Sequence, residues 1–201
     1  MQGLLNTLHT KLVFGRRVRR LAELLGQTIP EGSRVLDVGC GDGQISAQIA
    51  RSRENVSIIG IDVLLRPERH IPVTQFDGST IPFADATFDV VMFVDVLHHT
   101  KDPAALLRDA ARVTRKYILL KDHFRTGFLG GFTLRLMDWF GNVHHGVVLT
   151  YNYLSETEWT QTYRSIGLRP VSLTRELKLY PNPANLIFGR GLHFIALLEK
   201  L

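Results

Sequence analysis

The stretch Val35-Leu36-Asp37-Val38-Gly39-Cys40-Gly41-Asp42-Gly43-Gln44 constrains the fold more than any other part of the chain. A short apolar run gives way to three glycines at alternate positions, and a helix-periodic segment follows. Strand, glycine loop and helix in succession open an α/β domain in which a ligand can approach the backbone. The dinucleotide fingerprint G-x-G-x-x-G is not completed, because Gln44 stands where its third glycine belongs. Asp42 adds a negative charge that would repel a pyrophosphate. No Walker lysine follows either. Two readings stand: a loop for a ligand that is not strongly anionic, or a tight structural turn.

The remaining pattern extends this unit. Runs at 34–39, 56–62 and 73–77 read as the first three strands, and 88–96 and 116–122 as the fourth and fifth. Val90-Val91-Met92-Phe93-Val94 is apolar on both faces, as in a parallel strand covered by helices on both sides. Residues 44–51 and 103–114 read as helices, the second with Asp102 as N-cap and Pro103 at its first position. Strands alternating with helices argue for an α/β domain with a mostly parallel sheet. Residues 124–153 form a long connector, and long connectors in compact domains tend to carry function. A helix follows, opened by Ser155 with Glu158 as a capping box and ended at Gly167. The last strands fall near 169–178 and 192–200. Pro181, Pro183 and Gly189 between them imply an antiparallel pair.

At 201 residues, 45% hydrophobic and 21% charged, the chain reads as one globular domain spanning 1–201, with an N-terminal helical segment at 1–29. Cys40 is the single cysteine, so no internal disulfide forms. No stretch of about 18 uncharged apolar residues is present, and the start lacks the order of a signal peptide. A cytoplasmic protein is the expectation. The net charge is +5, much of it from Arg16, Arg17, Arg19 and Arg20. Leucines and Val18 recur beside them at helical spacing. The arginines then form either a solvated helix face or a contact with phosphates at a membrane surface, in RNA or on an acidic substrate.

Asp62 closes the second strand, about 20 residues beyond the loop, where a carboxylate can accept bonds from ribose hydroxyls or cap a helix. Asp77, with Phe76, ends the third strand and could accept a bond from an adenine amino group. In parallel α/β sheets ligands bind beyond the carboxyl ends of the strands. Asp37, Asp62, Asp77 and Asp95 all fall near that edge, and several aspartates there suit a cationic ligand better than a diphosphate.

VLDVGCGDG, then GID, then FDGSTIPFADATFDVVMFVDVLHH resemble, in this order, the class I S-adenosylmethionine-dependent methyltransferases. The group with L-H-H after the fourth strand, which includes many small-molecule methyltransferases, is the most similar. The resemblance covers residues 30–122 and implies a Rossmann-like seven-stranded sheet of order 3-2-1-4-5-7-6, strand seven antiparallel, with helices on both faces. It implies S-adenosyl-L-methionine as cofactor. Asp37 and the loop of Gly39, Cys40, Gly41 and Gly43 would cradle its amino-acid and ribose parts. Asp62, with Val63 beside it, would hold the ribose hydroxyls. Asp77 and Gly78 would face the adenine, and Val94 and Asp95 the methionine end. VLLRPERH after Asp62 departs from the family pattern, and its proline and charges leave a short helix or none there.

Methyl transfer needs alignment of the acceptor, and a general base only where the acceptor carries a proton. His98, His99 and His123 follow the fourth and fifth strands and either transfer that proton or shape the pocket. His144 and His145 are adjacent, a poor spacing for a helical metal pair, and no metal is expected. With Trp139, Tyr151 and Tyr153 they line a substrate pocket for an apolar or aromatic small molecule, the 124–153 segment acting as a lid. The expected partner is that small molecule. DNA is not expected, and RNA is disfavoured because no nucleic-acid module is appended. Contact with a membrane surface through the basic N-terminal helix, and a homodimer, stay open. The competing functions are RNA methylation, a cofactor-binding scaffold without transferase activity and, disfavoured by Asp42 and Gln44, a nicotinamide-dependent dehydrogenase.

Overall fold

The computed structural model describes residues 2–126, 131, 133–135, 151–181, 185, 189 and 191–201, with side chains on the first helix from Gly15 onward. Helix α1 spans Gln2–Thr28, β1 Arg34–Val38, α2 Gln44–Ser52, β2 Ser57–Asp62, β3 Val73–Gln75 and β4 Phe88–Val94. A single 3-10 turn covers Leu97–His99. Then come α3 (Pro103–Val113), β5 (Thr114–His123), α4 (Glu156–Ser165), β6 (Leu168–Thr174) and β7 (His193–Lys200). The seven strands form one sheet in the order β3-β2-β1-β4-β5-β7-β6. Only β7 runs antiparallel to its neighbours, β5 and β6. The expected sheet is the observed one.

Alternation along the strands sorts the core into two layers. Val35, Val90, Met92, Leu119 and Ile195 face α1 and α2, where Leu21, Leu25, Ile29 and Ile49 meet them. Leu36, Val38, Val91, Phe93, Ile118, Leu120 and Phe194 face the other way, onto Leu106, Leu107 and Ala110 of α3 and Trp159 and Tyr163 of α4. Full burial of each large apolar side chain is worth about 1.5–3 kcal/mol, so the second half of α1 is bound firmly to the sheet.

The expected caps form. Asp102 accepts from Ala105 N, with Pro103 at the first helical position. Ser155 and Glu158 make the reciprocal box. Between β2 and β3 no helix forms. Residues 63–72 fold back over the glycine loop, His70 N donating to Asp42 O at 2.8 Å. Three strands end two or more residues earlier than the sequence suggests. Asp95 adopts φ 57 and stops β4 at Val94. Asp77 takes Ser79 N and Thr80 N into a turn, and β3 stops at Gln75. β6 stops at Thr174 because Leu177 and Leu179 leave the sheet and bury beside Leu21 and Leu25.

Candidate active site

Asp37, the glycine loop, Asp62, Asp77 and Asp95 lie at the carboxyl edge of the sheet, and four residues join them that the motifs did not point to. The glycine loop leaves β1 with Gly39, Gly41 and Gly43 all at positive φ, 73, 60 and 76°. A Cβ on Gly39 would stand 2.5 Å from Val96 Cγ2, and one on Gly43 would collide with Ile71. At Gly41 nothing lies within 4 Å, so only the conformation demands glycine and the space over that peptide is open. Asp62 fixes the loop from beneath: Gly41 N donates to its Oδ2 at 2.7 Å and Leu64 N to its Oδ1 at 2.9 Å. The Cys40 side chain packs against Gly60. Burial first, and then the carboxylates of Asp37 and Asp62, push its thiol well above the ordinary range, so it is no nucleophile.

Asp37 faces α2, and Ser46 Oγ donates to its Oδ2 at 2.6 Å. Its Oδ1 is buried with no hydrogen-bond partner among the described residues. Burial, only partly offset by Ser46 and reinforced by the charge of Asp62, raises the carboxyl to about 7. Asp77 and Gly78 lie at the rim. The backbone bonds from Thr80 and Ser79 hold the exposed Asp77 carboxyl below its usual range. Val63 is exposed beside them.

Beyond β4 the charges tighten. Asp95 pairs with Lys121 of β5 and with Arg17 of α1. Lys121 is 0% exposed, and its Nζ lies 3.2 Å from His193 Nδ1. Burial disfavours the charge on Asp95, yet the Lys121 ammonium and Arg17 guanidinium outweigh it and hold the carboxyl well below the usual range. Burial, opposed by Asp95, lowers Lys121.

The neighbouring residue of β5 points to the opposite face. Asp122 Oδ1 lies 2.7 Å from His98 Nδ1 and accepts from His123 N at 2.8 Å, while Oδ2 accepts from Leu97 N at 3.2 Å. Although burial opposes it, His98 and His123 drive the Asp122 carboxyl far below the usual range. An ionised carboxylate can only accept, so the proton on the His98–Asp122 bond belongs to His98 Nδ1. Burial first, and then the Lys121 charge, lower His123 to about 4, so it is neutral at pH 7. Aromatic contacts close the group: His98 lies 4.1 Å from His99, 4.8 Å from His123 and 5.2 Å from Tyr153, between ring centroids. Tyr151 adjoins Tyr153 at 6.4 Å, and Tyr153 Oη donates to Leu134 O at 3.2 Å.

His98, Asp122 and His123 bring ligand atoms within 4.8 Å of one another, close enough to hold an ion. The hydrogen bonds that Asp122 already accepts make the trio an orienting network. Of the five expected pocket residues, Tyr153 reaches the histidines and Tyr151 adjoins Tyr153. Trp139, His144 and His145 lie outside the described residues, as does most of the 124–153 segment. The residues missed from sequence are Arg17, Lys121, Asp122 and His193. Lys121 and Asp122 were visible as two charges closing an apolar strand. Arg17 stands four residues before Leu21, on the buried side of the stripe rather than off it.

A family model described as a methyltransferase domain matches residues 9–173. The chain is 31% identical over 111 residues to the 27-O-demethylrifamycin SV methyltransferase of Amycolatopsis mediterranei, covering 48% of this chain and 40% of that relative. It is 35% identical over 89 residues to the demethylmenaquinone methyltransferase of Corynebacterium kroppenstedtii, covering 42% and 38%. The chain thus spans about two-fifths of these relatives' length. An S-adenosylmethionine-dependent methyltransferase structure from Thermotoga maritima superposes with a TM-score of 0.66 at 18% identity, over 100% of this chain and 97% of that one. At that identity the likeness is one of fold. With sheet order, glycine loop and family match in agreement, the chain belongs to the class I S-adenosylmethionine-dependent methyltransferase family. Among the described residues no helix is long and apolar enough to cross a membrane.

Proposed function

We propose that the chain transfers the methyl group of S-adenosylmethionine to a hydroxyl of a small planar or apolar molecule. The cofactor supplies a methyl carbon activated by a sulfonium. The observation that carries the cofactor reading is Asp37 Oδ1, a buried carboxylate oxygen with no partner, on a carboxyl raised to about 7. Such an atom is costly as it stands, and a cationic amino group beside it relieves the cost. The open space over Gly41 and the Asp62 carboxylate beneath the loop fit the rest of a nucleoside with no phosphate. Asp62 would hold the ribose hydroxyls with the lone pairs its two backbone bonds leave, and Asp77 with Gly78 would border the adenine.

The acceptor reading rests on the His98–Asp122 pair. Asp122 fixes the Nδ1–H tautomer and thereby assigns the basic lone pair to Nε2. A base is useful only for an acceptor that carries a proton, which points to a hydroxyl. Two relatives are methyltransferases of small molecules, 27-O-demethylrifamycin SV and demethylmenaquinone, and the first is named for an oxygen acceptor. Neutral His123 and the tyrosine rings of Tyr151 and Tyr153 give the acceptor flat, weakly polar walls. Incubation with methyl-labelled S-adenosylmethionine and a panel of phenols and quinols tests this. Label in an ether product supports the reading; label in RNA alone, or in no product, contradicts it.

A further inference from the structure

The arginine run on α1 does not form a uniform solvated face. Arg17 turns inward to Asp95. Arg20 is tied down, its Nε donating to Leu177 O at 3.2 Å and its Nη1 to Glu23 at 2.8 Å. Arg16 and Arg19 are exposed and make no ion pair or hydrogen bond among the described residues. Opposite them stands Lys178. It sits at φ 51 between Leu177 and Leu179, both buried, and this turns its side chain out. It too has no acidic partner among the described residues.

Between the helix and this segment lies a groove of two adjoining cavities. One, of about 350 Å³, is lined by Arg16, Arg19, Arg20, Glu23 and Lys178. The second, of about 230 Å³, shares Arg16 and Lys178 and continues to Tyr180 and Asn185. Glu23, the single carboxylate in these walls, is taken up by Arg20. Three cations therefore line one open groove, with no acidic partner of their own among the described residues. Through Tyr180 the groove adjoins the ion-pair network beside the candidate site. The Tyr180 ring lies 5.8 Å from that of His193, and His193 contacts Lys121, the partner of Asp95.

We propose that this groove binds a phosphate or diphosphate group carried by the methyl acceptor, a proposal that rests on the small-molecule methyltransferase reading. Guanidinium forks match phosphate oxygens two at a time. Several unpartnered cations favour a dianion over a single carboxylate. The combined space is that of a small-ligand site, and the cations gather around one groove that both cavities share at Arg16 and Lys178, whereas an extended polyanion such as RNA would call for a longer stripe of charge. Arg17, pointing from the same helix to Asp95, links the anionic end of the acceptor to the reacting end.

The test is calorimetric titration of the full chain with inorganic pyrophosphate, on wild type and on Arg16→Gln/Lys178→Gln. The expected result is saturable binding that weakens by about tenfold or more in the double variant. Both positions are exposed, and a thermal melt checks that the variant is folded. Arg16→Lys, which keeps charge but loses the fork, falls between the two. No saturable binding, or binding unchanged in the double variant, overturns the proposal. Co-sedimentation with phosphatidylcholine vesicles, with and without phosphatidylglycerol, separates the sources. Pelleting on anionic vesicles that pyrophosphate displaces supports a lipid-borne phosphate. Saturable pyrophosphate binding without pelleting supports a soluble one. Pelleting or RNA binding in the absence of pyrophosphate binding overturns it. S-adenosylhomocysteine titrated into the wild type reports separately on the methyltransferase reading, so the two failures are distinguishable.

Discussion

Arg17 and Asp95, 78 positions apart in the chain, form an ion pair that joins the N-terminal helix to the carboxyl end of β4. Asp95 also holds the ammonium of Lys121, which is wholly buried. Removing one partner of a buried pair costs about 3–5 kcal/mol because the other charge is left uncompensated. Asp95→Asn is expected to lose stability on that scale in a urea titration. Arg17→Gln removes the more exposed partner and costs about 1 kcal/mol or less. Equal losses in the two variants would contradict the assignment of Lys121 as the dominant partner.

Asp37 gives a pH signature of its own. Its carboxyl is raised from 3.8 to about 7 in the fold. The native state thus binds the proton more tightly than the unfolded chain, and the stability this confers is lost as pH rises from about 4 through about 7. Asp37→Asn lacks the term. The stability of wild type relative to Asp37→Asn should fall between pH 5 and pH 8 in parallel denaturant titrations; a difference that is flat with pH would sink the assignment. A cation binding at Oδ1 favours the ionised form. S-adenosylhomocysteine affinity should then rise through about pH 7 in wild type and not in the variant.

His123 works with the opposite sign. Its pKa is lowered from 6.5 to about 4, so the unfolded chain takes up a proton that the native state refuses. Stability from this site is present above about 6.5 and lost as pH falls through about 4. NMR titration of the imidazole should show a neutral ring down to about pH 5. A midpoint near 6.5 would contradict the buried, cation-adjacent placement.

The glycine loop separates stability from binding. Gly39→Ala meets Val96 as well as a positive φ, and should lose more stability than Gly41→Ala, for which the left-handed backbone alone costs about 1–2 kcal/mol. Gly41→Ala is expected to fold and yet bind S-adenosylhomocysteine much more weakly, because the added methyl enters the open space over the loop. Retention of full affinity by Gly41→Ala would remove that peptide from the cofactor site.

What could be read beforehand follows from locality. Alternating apolar strands and helical stripes placed all seven strands, and the loop VLDVGCGDG carries its own turn, since Gly39, Gly41 and Gly43 each take a positive φ. The caps at Asp102 and Ser155 are likewise three-residue relationships. What escaped depends on register between distant elements. Lys121 and His193 meet because β7 returns antiparallel beside β5, with His123 opposite His193. Arg17 reaches Asp95 only once α1 lies across the sheet. The parity of β5 sends Lys121 to one face and Asp122 to the other, and so splits two adjacent charges between an ion-pair network and a histidine network. The ends of β3, β4 and β6 moved for related reasons: turns at Asp77 and Asp95, and burial of Leu177 and Leu179 against α1.

The proposed roles of His98 as base and Asp122 as its orienting partner predict a kinetic pattern. With a hydroxyl acceptor, His98→Gln should lower kcat by about 10²–10⁴-fold with little change in cofactor affinity. Asp122→Asn should also lower kcat, and should shift the pH dependence of kcat/KM as the imidazole loses its fixed tautomer and its charge partner. Unchanged kcat in His98→Gln would reduce the histidine to a wall of the pocket.

We propose that the loop over Asp62 holds a sulfonium nucleoside. It is tested most directly by calorimetric titration with S-adenosylhomocysteine, with NAD as control, on wild type and Asp62→Ala. The account predicts saturable S-adenosylhomocysteine binding by wild type, its loss in Asp62→Ala, and no binding of NAD by either. Binding of NAD in its place, or of neither ligand, would contradict it.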